Sequence, residues 1–218
     1  MTRLHVGAVL ERPPGSKYRS SLSYAELRVV GPPPKPGKLA GWREEQGDAF
    51  SFGLIVPTLA TRSDRGAFRL DEDSEAALDW TVDAAKALDA RWLILRTAAD
   101  FTTGQRDRDR LDRWLEHFEA PLRERLVWHP SGLWDAELAI PFAKKRGLVR
   151  AFDPTEDGPG PGVTYARLRA MGKQQRFSET VLLDVVDVLE GCEEAWVTID
   201  SGRSFDEAKR LMALFAEE

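Results

Sequence analysis

Residues 158–173 read "GPGPGVTYARLRAMGK": a Gly/Pro-rich loop, then a short alternating run with Tyr165, Arg167 and Arg169 on one side and Thr164, Ala166 and Leu168 on the other. Side chains two apart on a strand share a face. The small and apolar set suits a surface covered by helices, so the phenol and the two guanidiniums turn the opposite way. In a strand of a closed barrel they line the axis near its mouth. A buried, unpaired guanidinium costs several kcal/mol, so these arginines require either carboxylate partners or a bound anion. A register one residue out would instead turn every one of these side chains to the other face.

Outward from this strand, apolar runs of strand length alternate with longer segments of helical periodicity, the pattern of parallel βα units. Eight strands are expected: "LHVGAVL" from Leu4, "AELRVV" from Ala25, "FSFGLIV" from Phe50, "RWLILRT" from Arg91, "RLVWH" from Arg125, "LVRAFD" from Leu148, "VTYARLR" from Val163 and "EAWVTID" from Glu194. The helices are clearest in the later part. In "DSEAALDWTVDAAKALDA", Ala77, Leu78, Val82, Ala85 and Leu88 form a stripe, with Asp73 or Ser74 as the expected cap. "SFDEAKRLMALFAEE" opens with Ser204 and Glu207 in capping-box spacing. "SETVLLDVVDVLEG" closes on Gly191, and "LWDAELAIPFAKKRG" carries Pro141 inside and Gly147 at its end. The Pro-rich "VVGPPPKPGKLAGW" and the polar "ATRSDRGAFRLDEDS" interrupt the alternation early on. The expected fold is therefore α/β, a TIM-barrel-like (β/α)8 that is irregular in its N-terminal third, with residues 1–218 as a single domain.

The chain has 218 residues, 42% hydrophobic and 31% charged, with a formal net charge of −5 and one cysteine. An acidic balance argues against a general nucleic-acid binder. The run "GQRDRDRLDRW" alternates Arg106, Arg108, Arg110 and Arg113 with Asp107, Asp109 and Asp112, and reads as a solvated helix start with local ion pairs. No apolar run approaches the ~20 residues that cross a bilayer, and the N-terminal apolar segment is too short for a signal peptide, so the expected compartment is the cytoplasm. Cys192 lies beside glutamates, outside the electropositive setting of a reactive thiol. Three scattered histidines and one cysteine offer few metal ligands, and no Gly-rich phosphate loop or nucleophile elbow occurs. No metal and no cofactor are expected.

Ligand chemistry in a βα barrel gathers at the C-terminal ends of the strands, and here those ends are polar. Arg96 follows the fourth, His129 the fifth, Arg167 and Arg169 the seventh and Asp200 the eighth. Arg167, Arg169 and Arg96, with Tyr165, are the candidate ligand-binding set. His129, Glu26 and Asp200 are the candidate acid–base residues, His129 because imidazole titrates near neutrality. Asp200 is expected beside Arg167, on the neighbouring strand. Arg167, Asp200 and Glu26 also suit a self-contained ion-pair network that plugs the barrel.

The order of segments resembles the YecE-like family of TIM-barrel proteins, known as domain of unknown function 72. The similarity rests on "YAELRVVGPPPKPGKLAGWREEQGDAFSFGLIVP", "LVWHPSGLW", "VTYARLRAMG" and "AWVTIDSG". It implies a TIM barrel with its pocket at the strand C-termini and does not imply a reaction. The chain departs from the family's polar set: Ile55 stands where a lysine is usual, Arg62 near a usual histidine, Arg96, Ala98 and Ala99 for a glutamine and paired prolines. Leu126 and Trp128 stand for a glutamate and an arginine, Arg169 and Ala170 for the "H-G" of "R-L-H-G", and Asp200 and Ser201 for paired asparagines. Glu26, His129 and Arg167 match. The reading is a divergent barrel that binds a small phosphorylated or carboxylated ligand. A barrel that works through a protein partner, with "GPPPKPG" as its docking loop, is the alternative, and a metal-dependent nuclease-like hydrolase ranks third.

Overall fold

The computed structural model describes residues 2–160, 162–170 and 176–217. All eight expected strands form: β1 Arg3–Leu10, β2 Tyr24–Leu27, β3 Ser51–Ile55, β4 Trp92–Arg96, β5 Leu126–His129, β6 Val149–Phe152, β7 Thr164–Arg169 and β8 Glu194–Asp200. They hydrogen-bond side by side in the order β1-β8-β7-β6-β5-β4-β3-β2 and close into a barrel. This is the (β/α)8 architecture read from the sequence. The end of the opening stretch, from Met171 on, lies outside the described residues.

By its contacts the chain divides into two compact units. The first comprises Met1–Leu27, Asp48–Ser51 and Ala151–Glu218, and so draws on both ends of the chain. Within it β1 is parallel to β8, from Arg3↔Glu194 to Ala8↔Ile199, and to β2, from Gly7↔Tyr24 to Leu10↔Leu27. β8 in turn pairs with β7, from Ala195↔Thr164 to Asp200↔Arg169. Its helices are the single turn α1 (Ser16–Arg19), α8 (Glu179–Leu189) and α9 (Ser204–Glu217). Leu182, Val185, Val186 and Leu189 of α8, with Ala208, Leu211 and Leu214 of α9, are its buried faces. The periodicity of the sequence demands those faces.

The second unit comprises Arg28–Gly47 and Phe52–Arg150. β4 runs parallel to β5 from Leu93↔Leu126 to Arg96↔His129. Its helices are α2 (Pro36–Gln46), the single turn α3 (Thr58–Thr61), α4 (Glu72–Ala87), α5 (Gln105–Leu115), the single turn α6 (Ala120–Arg123) and α7 (Ala136–Arg146). Pro141 lies within α7, and Gly147, at φ 68°, ends it. The left-handed conformation there favours glycine. The polar segment after β3 folds into a small antiparallel hairpin, Arg62–Ser63 against Gly66–Ala67.

Two capping expectations are corrected. The cap of α4 is Asp71, whose Oδ1 accepts the Ser74 N–H at 3.0 Å and the Ser74 hydroxyl at 2.7 Å. Ser74 is therefore a donor in the first turn, not the cap. At α9, Glu207 is buried and turns away from any capping box to accept the Phe177 N–H at 2.7 Å and the Ser201 hydroxyl. A buried carboxylate needs such donors more than the helix needs a reciprocal bond. No helix among the described residues is long and apolar enough to cross a membrane.

Candidate functional site

Four residues of the first unit form one buried polar chain. Arg167 donates from Nε to Glu26 Oε1 at 3.0 Å and from a terminal nitrogen to Oε2 at 2.6 Å, a bidentate pair with both side chains out of solvent. Tyr165 donates its hydroxyl to the same Oε1 at 2.8 Å. The Tyr24 and Tyr165 hydroxyls lie 2.5 Å apart. Because the single Tyr165 proton goes to Glu26, Tyr24 is the donor in that contact. The chain thus runs Tyr24 to Tyr165 to Glu26, with Arg167 closing it.

The strand register makes this reach possible. Tyr24 on β2 is level with Gly7 on β1, Gly7 with Thr198 on β8, and Thr198 with Arg167 on β7. Glu26 therefore meets Arg167 over two intervening strands. Gly7 is the small residue in this row. A Cβ built there would stand 2.5 Å from the Tyr24 carbonyl oxygen and 2.8 Å from its ring. Beneath β2, the Tyr18 hydroxyl of α1 accepts the Ala8 N–H at 2.8 Å and donates to the Tyr24 carbonyl at 2.7 Å, tying β1 to β2.

Electrostatics keep the phenols neutral and the guanidinium charged. Burial pushes the Tyr24 and Tyr165 hydroxyls well above the ordinary phenol range, and the Glu26 carboxylate pushes them further. Burial works against the Arg167 charge, but Glu26, by its charge and its hydrogen bonds, outweighs this and holds the guanidinium above its usual range. Asp200 adds to the same field. With both oxygens occupied by Arg167, and one also by Tyr165, Glu26 acts as a fixed acceptor.

The other residues singled out in the sequence are placed as follows. Asp200, half-buried, stands in register with Arg169, while Arg167 is level with Thr198. Arg169 is exposed at the end of β7 and makes no ion pair with any described residue. In the second unit Arg96 and His129 are half-buried and level with each other at the ends of β4 and β5. Sequence reasoning missed Tyr24. Its signal was available, since it lies two residues before Glu26 and so shares its face.

No family model and no curated protein matches the chain. Among solved structures the barrel is similar in fold to several enzymes, such as D-psicose 3-epimerase from Clostridium cellulolyticum H10, with 9% identity, a TM-score of 0.60 and 98% of each chain covered. It is more similar still to DUF72 family proteins. That of Enterococcus faecalis V583 has a TM-score of 0.73 at 13% identity, over 99% of this chain and 98% of that one. That of Thermotoga maritima MSB8 has a TM-score of 0.66 at 16% identity, over 99% of this chain and all of that one. At such identities these likenesses show the fold, and it is the fold that the sequence motifs imply.

Proposed function

We propose that the chain is a divergent DUF72-type barrel that takes a small anionic ligand, phosphorylated or carboxylated, at the C-terminal ends of β7 and β8. The observation that carries this is the contrast between two arginines on one strand. Arg167 is spoken for by Glu26, whereas Arg169, two residues on and on the same side of the strand, offers an exposed guanidinium without an ion pair to a described residue. Arg167, Glu26 and Tyr165 serve as the rigid base beneath it. Asp200, in register with Arg169, is the candidate for proton transfer in this unit.

A ligand that binds only the folded state raises the melting temperature by mass action, worth ~2.7 kcal/mol at a hundredfold excess over its dissociation constant. The test compares citrate and sugar phosphates with chloride at matched ionic strength, in the parent and in Arg169→Met. The expected result is an anion-specific rise that Arg169→Met abolishes. A parent that responds no more to these anions than to chloride retires the proposal.

The reading of a barrel working through a protein partner draws on the Pro-rich loop. The Trp80 indole donates to the Pro34 carbonyl at 2.9 Å and pins the loop, while Val30 stays 62% exposed and Gly31–Pro33 lie on the surface. A nuclease-like hydrolase would require a metal. Among the described residues no group of three or more His, Cys, Asp and Glu side chains is placed to hold one.

A further inference from the structure

The second unit contains a cavity of about 530 Å³ that the site above does not use. Four guanidiniums line it, Arg65 and Arg69 from the hairpin segment and Arg110 and Arg113 from α5, against one carboxylate, Glu75. In a chain of net charge −5 this is a local inversion of sign. Two carboxylates that feel the charge of these arginines, Asp71 beside Arg65 and Asp107 beside Arg110 and Arg69, are already engaged. Asp107 accepts the Thr102 N–H and hydroxyl on one oxygen and Arg110 on the other, and Asp71 is occupied with the Ser74 N–H and hydroxyl. Arg65, Arg69 and Arg113 make no ion pair with any described residue.

The arginines are also held in place. The Ser63 hydroxyl accepts the Arg65 N–H at 3.2 Å and donates to the Arg69 carbonyl at 2.6 Å, fixing both arginine-bearing backbones to one atom. Between them Phe68 adopts φ 52°, the left-handed conformation that a bulky residue rarely takes. The Phe68 N–H to Thr61 carbonyl bond at 2.8 Å secures that turn, and the ring packs edge-on against Trp114 and Phe101. Strain of this kind in a surface loop persists where the surrounding structure enforces it and gathers at ligand clamps. Here it seats the hairpin on an aromatic base with Arg65 and Arg69 to either side.

We infer that this cavity is a binding site for a small phosphate ester, distinct from the ends of β7 and β8. Several forked guanidiniums converging on one concavity suit phosphate oxygens, which accept paired N–H donors. The volume lies in the range of small-molecule pockets and exceeds the needs of a lone inorganic ion. The four guanidiniums gather about one concavity, which favours a compact ligand over a nucleic-acid strand, whose binding calls for a basic track. The arginine-rich run of α5, read from sequence as a solvated face, thus contributes Arg110 and Arg113 to a site.

Isothermal titration of the full chain with inorganic pyrophosphate, and with fructose 1,6-bisphosphate, tests this. Arg69→Met and Arg113→Met alter exposed side chains, and Arg106→Met, exposed on α5 but outside the lining, serves as the control. The expected result is binding by the parent, weakened about tenfold or more in each cavity variant and unchanged in Arg106→Met, as losing one charged hydrogen-bonding partner predicts. Unchanged affinity in Arg69→Met and Arg113→Met overturns the inference. So does binding that sodium chloride at matched ionic strength suppresses completely. Tighter binding of a single-stranded oligonucleotide than of either phosphate, with a salt dependence of several charges, overturns the small-molecule assignment. A failure confined to Arg169→Met in the citrate experiment leaves this site standing.

Discussion

Arg167 and Glu26 neutralise each other where neither meets water, so each depends on the other for its place in the interior. Replacing one partner strands a buried charge, whereas replacing both removes the problem along with the pair. Arg167→Met is therefore expected to lower the unfolding free energy by about 3–5 kcal/mol in urea titrations, and Glu26→Leu combined with Arg167→Met to recover a large part of that loss. A double variant as unstable as the sum of its singles would show that the two charges do not act as a unit. The resemblance to DUF72 retained both residues, and the structure joins them. Their partnership was legible only as one of two readings, an ion-pair network of Arg167, Asp200 and Glu26 beside an anion site, because the pairing crosses β8 and β1 and spans 141 positions. Adjacency of strands pointed to Asp200, which the register sets opposite Arg169.

At the level of elements, the close approach of β1 and β2 depends on Gly7. A methyl group there meets the Tyr24 backbone and ring, and neither can move without disturbing the hydroxyl contacts that Tyr24 makes with Tyr165 and that Tyr18 makes with the Tyr24 carbonyl. Gly7→Ala is expected to cost about 1–3 kcal/mol or more by overpacking, read as a lowered urea midpoint with an unchanged slope. An unaffected midpoint would mean that β1 and β2 have room to part. Seven of the strands were legible to within a residue at each end because apolar and aromatic runs bounded by turns leave few alternatives, while β2 stops at Leu27, three residues short of the expected Val30. The hairpin at Arg62–Ser63 and Gly66–Ala67 was not, since strands of two residues carry no periodicity. Nor was the role of Glu207, which is set by what it meets in space, the Phe177 N–H, and not by its spacing from Ser204.

For the molecule as a whole, the buried phenols set how stability responds to alkali. Tyr24 and Tyr165 titrate near 10.0 when unfolded and well above it when folded. An acid whose folded pKa is raised holds its proton longer in the fold, so the stabilisation is fully present below pH ~10 and drains away above it as the unfolded chain releases protons that the folded chain retains. Urea midpoints are expected to hold level up to about pH 9 and then fall, and to fall less steeply in Tyr24→Phe combined with Tyr165→Phe. An identical decline in that variant would assign the alkaline loss to other groups.

The unit that contains this network is assembled from both ends of the chain, and this bears on the order in which the protein is made. Glu26 leaves the ribosome 141 positions ahead of Arg167, which at ~5–20 residues per second amounts to roughly 7–28 s. Over that interval the carboxylate has no cation to accompany it out of water, and β2 gains nothing by settling. The stretch from Arg28 to Arg150 meanwhile emerges with strands and helices of its own to bury. β1 and β2, made well before β7, are thus late to find their place, and a nascent chain halted short of Arg167 would present them as open strands for a chaperone to hold.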